Sequence, residues 1–402
     1  MHEGLFRESA GRIVANLTRI LGSRHLELAE ECVQDAMIRA METWPFHGVP
    51  ADPAAWLMRT ARNRAIDVLR RDQRLTAIPE QLEQVSSPTS AIDDELGMML
   101  LCCHPSISRE SQVTLTLKTV AGLGVKEIAR AYLVPDATVA QRLVRAKRQI
   151  REESIEFDLP DAIANIQGRL DSVLEVLYLL FNEGYSLYVR EFSEEAIRLA
   201  RLLTANPKTA LPTCHALGAL MLLQSARDAA RIDAEGSLVL LRDQDRSRWD
   251  RQRISQGMRH LELASSGNEL TRYHLEAGIA SHHALAGSWE STNWIAIADA
   301  YETLESIHPS PVVRLNRAVA ASQWQGARAG LDLIAGLEQQ LAKYQPFHAT
   351  CGYFWRTLGH PQKAAVCYRH ALRLARTKAE TAYFRTLLTD LGCFRVDITE
   401  FT

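Results

Sequence analysis

The sequence has no long apolar run. A transmembrane helix needs about 18 consecutive apolar residues, and no stretch of the 402-residue sequence approaches that length. The N-terminus carries Glu3 where a secretory signal needs an uninterrupted apolar segment. Its seven cysteines, an odd number at scattered positions, fit a reducing compartment better than a disulfide framework. We therefore expect a cytoplasmic protein that makes no membrane contact.

Signatures of catalysis are also missing. No G-x-x-x-x-G-K-[ST] phosphate loop occurs, and His282-His283 lacks the glutamate and spacing of a zinc protease. The adjacent cysteines in Cys102-Cys103-His104 are poorly spaced to chelate one ion, and we expect a buried turn there. No paired acid and base or activated nucleophile is evident. The sequence predicts a non-enzyme with no cofactor and no bound metal.

Neither charge nor composition is extreme. The chain has 46 Lys and Arg against 48 Asp and Glu, a net charge of −2, and 47% of its residues are hydrophobic. These values exclude a disordered chain and a histone-like polycation, although a local basic surface is still possible. The length indicates two or three domains.

Strand signals are scarce, whereas apolar residues recur at spacings of three and four along most of the chain, so the sequence predicts an all-α fold. Two breaks divide it. No Lys or Arg occurs between Leu75 and Ser108, and we interpret residues 76–93 as an acidic linker. A second break lies near Phe157–Pro160. The predicted parts are 1–75, 94–155 and 160–402.

The first part contains two informative helices. One carries a polar face that by pattern alone is a solvated surface, formed by Glu31, Gln34, Asp35 and Arg39. The other should begin with Asp52 as N-cap and Pro53 at the first helical position. Its polar side combines a tryptophan with arginines: Trp56, Arg59, Asn63 and Arg70. Guanidinium groups bind phosphates and an indole stacks on an unpaired base, which suits melted nucleic acid. A merely solvated face is the alternative.

The second part contains a helix-turn-helix pattern. Two helical segments within 125–150 are separated by Val134-Pro135-Asp136, with Asp136 placed to cap the second. The apolar stripe of that second helix is Val139, Leu143, Ala146 and Ile150. In such a motif Thr138, Gln141 and Arg142 would meet base edges, and Arg145, Lys147 and Arg148 mainly phosphates. The alternative is a helical hairpin with a solvated basic face.

The third part, 160–402, is predicted to form packed helical pairs. Small and large residues follow the tetratricopeptide pattern at Gly352, Trp355, Gly359, Ala364, Tyr368 and Ala371. Stacked pairs form a concave surface that suits a peptide or protein partner. A rigid spacer or an intramolecular cover is the alternative.

Three sequence segments carry a family resemblance. LAEECVQDAMIRAMETW and DPAAWLMRTARNRAIDVLRR strongly resemble region 2 of bacterial extracytoplasmic-function sigma factors, and GVKEIARAYLVPDATVAQRLVRAKRQIR resembles their region 4. The rest of the chain resembles the tetratricopeptide-like extension of one subgroup. The resemblance implies a protein that binds core RNA polymerase, directs it to promoters and helps to open them. It also implies a possible small YCII-like protein as a partner of the extension.

The resemblance assigns roles by position. The residues matching the surface that docks on the clamp of the large polymerase subunit are Glu31, Gln34, Asp35 and Arg39. Those matching the reader of the −10 element are Trp56, Arg59, Arg62 and Asn63. Those matching readers of the −35 element are Thr138, Gln141, Arg142 and Arg145. Ala140-Gln141 stands where relatives often have Lys-Ser, so the promoter sequence cannot be transferred. Two alternatives remain: a helix-turn-helix regulator that acts without entering polymerase, and an adaptor scaffold.

Overall fold

The fold is all-α, which confirms the prediction. The computed structural model describes residues 3–72, 88–132, 134–188, 190–234 and 236–392. Within these ranges there is no strand, only an isolated β-bridge between Ile232 and Leu238. No helix in the same ranges is long and apolar enough to cross a membrane. The chain forms two compact units, residues 1–210 and 211–402.

The first unit contains ten helices within its described residues. They are α1 (Glu3–Leu21), α2 (Leu26–His47), α3 (Pro53–Asp72), α4 (Pro88–Cys102), α5 (Arg109–Thr119), α6 (Val125–Tyr132), α7 (Asp136–Glu152), α8 (Leu159–Ala164), α9 (Gln167–Leu187) and α10 (Arg190–Ala205).

Helix α1 packs on four other helices of this unit: α2, α3, α4 and α5. At the end of α5 the two backbones come very close together, and Gly11 of α1 makes this contact possible. A Cβ placed on Gly11 would lie 2.3 Å from the carbonyl oxygen of Val120, just after α5. Only glycine therefore allows the backbones to meet here.

The helix starts were partly predicted. The Asp52 carboxylate accepts a hydrogen bond from the Ala55 N–H at 2.9 Å and Pro53 begins α3, as expected. The prediction that Asp136 caps α7 was wrong. Pro135 occupies the cap position in an extended conformation, and Asp136 is the first helical residue with no side-chain cap bond. Its carboxylate still lies in the first turn, where the helix dipole favours a negative charge.

The structure divides the chain at other residues than the sequence predicted. Of the predicted linker 76–93, residues 76–87 lie outside the described residues, and from Pro88 onward the chain is already α4. At the other end, α8–α10 belong to the first unit although the sequence assigned them to the extension. Helix α8 packs on α4 and α9 packs on α5, and Arg198 of α10 neutralises Glu95 of α4, whose side chain is 2% exposed. The functional division at residue 160 stays a prediction.

The second unit contains nine helices within its described residues. They are α11 (Pro212–Ser225), α12 (Arg251–Ala264), α13 (Arg272–Leu285), α14 (Trp294–Ile307), α15 (Pro311–Gln325), α16 (Ala327–Ile334), α17 (Gln345–Thr357), α18 (Pro361–Arg373) and α19 (Lys378–Asp390).

Close contacts between glycines and rings hold its consecutive helices together. A Cβ on Gly352 of α17 would lie 2.4 Å from the ring of Tyr368 on α18. A Cβ on Gly330 of α16 would lie 2.6 Å from the ring of Phe354 on α17. Gly359, with φ of +77°, makes the turn between α17 and α18. These contacts are consistent with the predicted helical repeat.

Candidate nucleic-acid interface

The polar side of α3 is exposed as the sequence indicated. Arg59, Asn63 and Arg70 are exposed. Trp56 is half-buried, with its ring edge-on to that of Trp44 at a centroid distance of 5.6 Å. The indole is thus fixed by an aromatic neighbour while part of it faces solvent. Arginines beside a fixed, accessible ring form a surface on which a nucleic-acid strand can place a phosphate and a base.

Arg62, the fourth residue predicted on this face, has a different environment. Its side chain is half-buried, and its buried Nε has no hydrogen-bond partner among the described residues. On a helix with 100° per residue it lies about 100° from Asn63, toward the core side. The structure therefore brings Trp56, Arg59 and Asn63 together and places Arg62 at the border of their face.

The polar side of α2 is exposed except at one residue. Glu31, Gln34 and Arg39 are exposed, whereas Asp35 is half-buried and accepts a hydrogen bond from Arg64 Nε of α3 at 2.6 Å. This hydrogen bond and the charge of Asp35 raise the pKa of Arg64. The ion pair fixes the orientation of α2 against α3. The predicted polymerase surface therefore includes one carboxylate that already has a partner.

Beside this surface lies a cleft of about 540 Å³. Gln34 and Met37 of α2 line one side, and Lys118 and Lys126 line the other, near the first helix of the helix-turn-helix. The sequence analysis did not assign these lysines. Both lysines lie in a part of the sequence that is rich in Lys and Arg, residues 118–151, but nothing in the sequence showed that they would face α2.

Helix α7 buries the predicted stripe. Val139, Leu143, Ala146 and Ile150 are all buried. The side chains on the other side are exposed or half-buried: Gln141, Arg145 and Arg148 are exposed, and Thr138 and Arg142 are half-buried. The Arg142 guanidinium lies over the Tyr132 ring of α6, 5.9 Å from its centroid. This contact places Arg142 on the same side as the turn, where a recognition helix meets base edges.

Lys147 is separated from the other residues of the predicted −35 set. Its ammonium forms an ion pair with Glu30 of α2, and both side chains are largely buried, 18% and 12% exposed. Thr119 donates a second hydrogen bond to the same carboxylate at 3.0 Å. The helical period anticipates this separation, because nine residues from Thr138 rotate the side chain by about 180°. A phosphate contact by Lys147 would first require breaking the ion pair.

Two further contacts join the end of α7 to the start of α2. Arg151 pairs with Glu27 at 3.3 Å, and Ser23 donates a hydrogen bond to the carbonyl of Ile155. Two ion pairs therefore join the basic helix to the acidic one. No sequence argument had brought these two helices together.

The part of the chain that carries α2 and α3 is similar to a known family. Residues 5–75, which contain α1–α3, match the sigma-70 region 2 family. A second stretch, residues 169–265, matches a family of unknown function, DUF6596. The ECF RNA polymerase sigma factor SigE of Mycolicibacterium smegmatis is 28% identical over 155 residues, covering 37% of this chain and 59% of that protein. These matches support a sigma-70 family factor and point to transcription initiation.

A second relative matches nearly the whole chain. The uncharacterized protein R00370 of Rhizobium meliloti is 39% identical over 395 residues, which cover 94% of this chain and 93% of that protein. The chain belongs to the same family as R00370. No solved structure matches the chain.

Proposed function

We propose that this protein is an extracytoplasmic-function sigma factor with a tetratricopeptide-like regulatory extension. In this proposal α2 docks on the clamp of core RNA polymerase, α3 opens and reads the −10 element, and α7 reads the −35 element. The observation that carries it is the polar face of α3, where the half-buried Trp56 lies beside the exposed Arg59 and Asn63 within the segment that matches sigma-70 region 2.

The chemistry of the −10 step follows from that face. A base that leaves the duplex loses its stacking partners, and an aromatic ring replaces one of them with about 1–3 kcal/mol per base. Trp56 offers such a ring, held by Trp44. Arg59 neutralises the adjacent phosphate, and Asn63 can hydrogen-bond a base edge. Melting is thereby favoured because the open strand gains contacts that the duplex lacks.

The chemistry of the −35 step belongs to α7. Gln141 has the amide geometry that pairs with adenine, and Arg142 and Arg145 have the geometry that pairs with guanine in the major groove. Arg148 lies further along the same side and contacts phosphate. Its ion pair with Glu152 at 3.6 Å is exposed on both sides, so it breaks readily.

Promoter binding requires α7 to leave α2. The two promoter elements are centred about 25 base pairs apart, which is about 85 Å at about 3.4 Å per base pair. Ion pairs hold α7 close to α2, which itself packs on α3, so the proposed readers of the two elements lie much nearer to each other than that. The arrangement joined by the Glu30–Lys147 ion pair therefore does not reach both elements at once. On opening, Lys147 exchanges its carboxylate partner for a phosphate.

Transcription in vitro tests the proposal. Purified core polymerase and the full chain are combined on promoters recovered by chromatin immunoprecipitation, and specific transcripts are expected only when both proteins are present. Glu31→Lys should weaken capture of core polymerase, since it reverses the charge at an exposed position of the proposed docking surface. Glu262→Lys, the same change at an exposed site on α12, is the matched control. Promoter binding without any polymerase capture would instead favour the regulator that acts outside polymerase.

The role of the extension is tested by truncation after Ala210. Truncation near residue 152 would remove Arg198 and leave the buried Glu95 without its closest partner. Residues 1–210 keep the first unit whole. A regulatory extension should change transcript yield without changing the preferred −35 sequence, and a spacer should change neither. A small protein partner of the extension stays a prediction.

A further inference from the structure

The second unit contains a cavity of about 400 Å³. Its walls come from the segment before α12 and from α13, α14, α15, α17, α18 and α19. Aromatic side chains dominate the lining: Trp289, Trp294, Tyr301, Tyr353, Tyr368 and Tyr383. Cavities of about 300–1,000 Å³ with apolar, aromatic walls and a few polar groups are typical of small-molecule sites.

The cavity has a positive electrostatic character. Arg242 and Arg356 line it, and no Asp or Glu does. The half-buried Arg356 side chain forms no ion pair or hydrogen bond with any residue that the structure describes. Among the residues that the structure describes, Arg242 pairs with its neighbour Asp243, at 3.2 Å, and its guanidinium lies over the Tyr353 ring at 5.9 Å. A partly buried guanidinium without a counter-charge is stabilised by a bound anion.

Both arginines act on the same part of the cavity. Burial raises the pKa of Tyr368 to about 12, and the charges of Arg356 and Arg242 both oppose that rise. Both charges likewise oppose the burial that raises the pKa of Tyr383, whereas the charge of Asp243 adds to that rise. Two cations thus converge near two phenol groups, so an anion there would have charged and neutral donors within reach.

Two indoles in the lining are held by contacts with their neighbours. The Trp289 and Trp294 rings lie 4.3 Å apart between centroids, and Trp294 Nε1 donates to the Trp289 carbonyl at 3.1 Å. Trp289 Nε1 donates to Gln323 at 3.2 Å. Both indoles are therefore fixed before any ligand binds. Fixed rings present flat apolar faces at little entropic cost, which suits a planar ligand.

We propose that this cavity is a binding site for a small organic acid with a flat aromatic body. The carboxylate pairs with Arg356, assisted by Arg242, and the aromatic body lies between the indole pair and the tyrosines. Charge complementarity selects an anion, and the aromatic lining of a cavity of about 400 Å³ selects a compact planar molecule over an extended peptide. The binding does not rest on the proposed transcription function, because the site lies within the second unit alone.

Calorimetry with two matched probes tests this proposal on the full chain. Naphthalene-2-carboxylate and naphthalene-2-carboxamide have the same shape and differ in charge. The carboxylate should bind at least about tenfold more tightly, since a charge-assisted hydrogen bond exceeds a neutral one by that factor. Arg356→Gln should remove this preference and leave the affinity for the amide unchanged. Arg385→Gln, on the exposed side of α19, is the matched control and should alter neither affinity.

A second variant tests the cavity independently of charge. Thr350→Trp places a large ring into the lining from α17 and should abolish binding of both probes while circular dichroism stays native. Equal affinity for the acid and the amide, or an unchanged preference in Arg356→Gln, would overturn the proposal. If an acidic pentapeptide bound more tightly than naphthalene-2-carboxylate, and did so through Arg356, the proposal would also be overturned and the cavity would be assigned to a peptide. A negative transcription assay leaves these outcomes unaffected.

Discussion

Ion pairs join helices in both units, but in the second unit they join neighbours along the chain, such as Arg317 of α15 and Glu302 of α14. In the first unit, ion pairs connect helices far apart in sequence: Lys147 of α7 with Glu30 of α2, and Arg198 of α10 with Glu95 of α4. In the second, glycines admit aromatic rings of the next helix, as at Gly352 and Tyr368. Ion pairs can exchange one charged partner for another, whereas an interlocked ring has no alternative partner in water.

This difference between the units fits the proposed promoter binding by the first unit and the proposed small-molecule binding by the second. A sigma factor must open and exchange internal carboxylates for phosphates, and the α2–α7 contacts allow that exchange. A small-molecule site must be formed before its ligand arrives, and interlocked rings such as Tyr368 keep the cavity walls in place. The variants below disturb one type of contact at a time.

The largest effect is expected from removing a buried ionic partner in the first unit. Arg198→Met leaves Glu95, 2% exposed, with only the more distant Arg12 at 3.7 Å. The free energy of unfolding should fall by about 3 kcal/mol, because an uncompensated buried carboxylate is strongly unfavourable. Urea unfolding measures the loss, and hydrogen exchange should locate it in α4 and α10.

The control lies on the same helix. Arg190 pairs with Glu194 at 3.1 Å, but its side chain is 73% exposed. Arg190→Met should change the free energy of unfolding by less than about 0.5 kcal/mol. Equal losses for the two variants would mean that burial does not distinguish these pairs.

A smaller loss is expected from one methyl group in the second unit. In Gly352→Ala the new Cβ meets the Tyr368 ring, which is itself buried, and the free energy of unfolding should fall by about 2.5 kcal/mol. The same change at Gly278 of α13 has no atom within 4 Å of the new Cβ. That variant should gain about 0.5–1 kcal/mol, since alanine favours a helix over glycine. The free energy of unfolding should therefore fall in Gly352→Ala and rise in Gly278→Ala. A change in the same direction in both variants would show that the Tyr368 ring does not fill the space beside Gly352.

The sequence predicted what depends on local period and composition. The start of α3 at Asp52 and Pro53, the buried stripe of α7 and the pairing of Gly352 with Tyr368 follow from helical spacing and from small residues at contacts. The sequence could not predict that Lys147 would reach Glu30. The chain has 46 basic and 48 acidic residues, and periodicity does not select partners among them. The cavity was missed for the same reason, because seven separate segments form its walls.

The next effect concerns pH. Burial, helped by the charges of Arg227, Arg246 and His282, lowers the pKa of His283 from 6.5 to about 3. Its buried Nδ1 has no hydrogen-bond partner among the described residues. The unfolded chain takes up a proton near pH 6.5 and the folded one does not, so stability falls as the pH drops from about 7 toward 3.

This His283 contribution should reach about 2 kcal/mol at pH 5. Urea unfolding at pH 7 and pH 5 measures it as a difference between the wild-type protein and His283→Gln, which has no imidazole to protonate. His282→Gln should keep the wild-type pH dependence. An unchanged pH dependence in His283→Gln would show that the imidazole is accessible to protons in the folded chain.

The smallest effect on stability, about 1 kcal/mol, is expected from Glu30→Gln, and it should carry the clearest functional signal. The variant removes the charge that holds Lys147 but keeps an acceptor for the Thr119 hydroxyl. Lys147 is then available to a phosphate without first breaking an ion pair, so binding to a −35 duplex should tighten several-fold. Lys147 meets a phosphate in both complexes, so the dependence of log K on log salt should stay unchanged in Glu30→Gln and become shallower by about 0.9 in Lys147→Gln. Fluorescence anisotropy between about 50 and 200 mM salt measures both quantities, with Glu27→Gln as control, because its exposed pair with Arg151 should contribute little. An unaltered slope in Lys147→Gln would mean that Lys147 meets no phosphate, and the ion pair would then serve the fold alone.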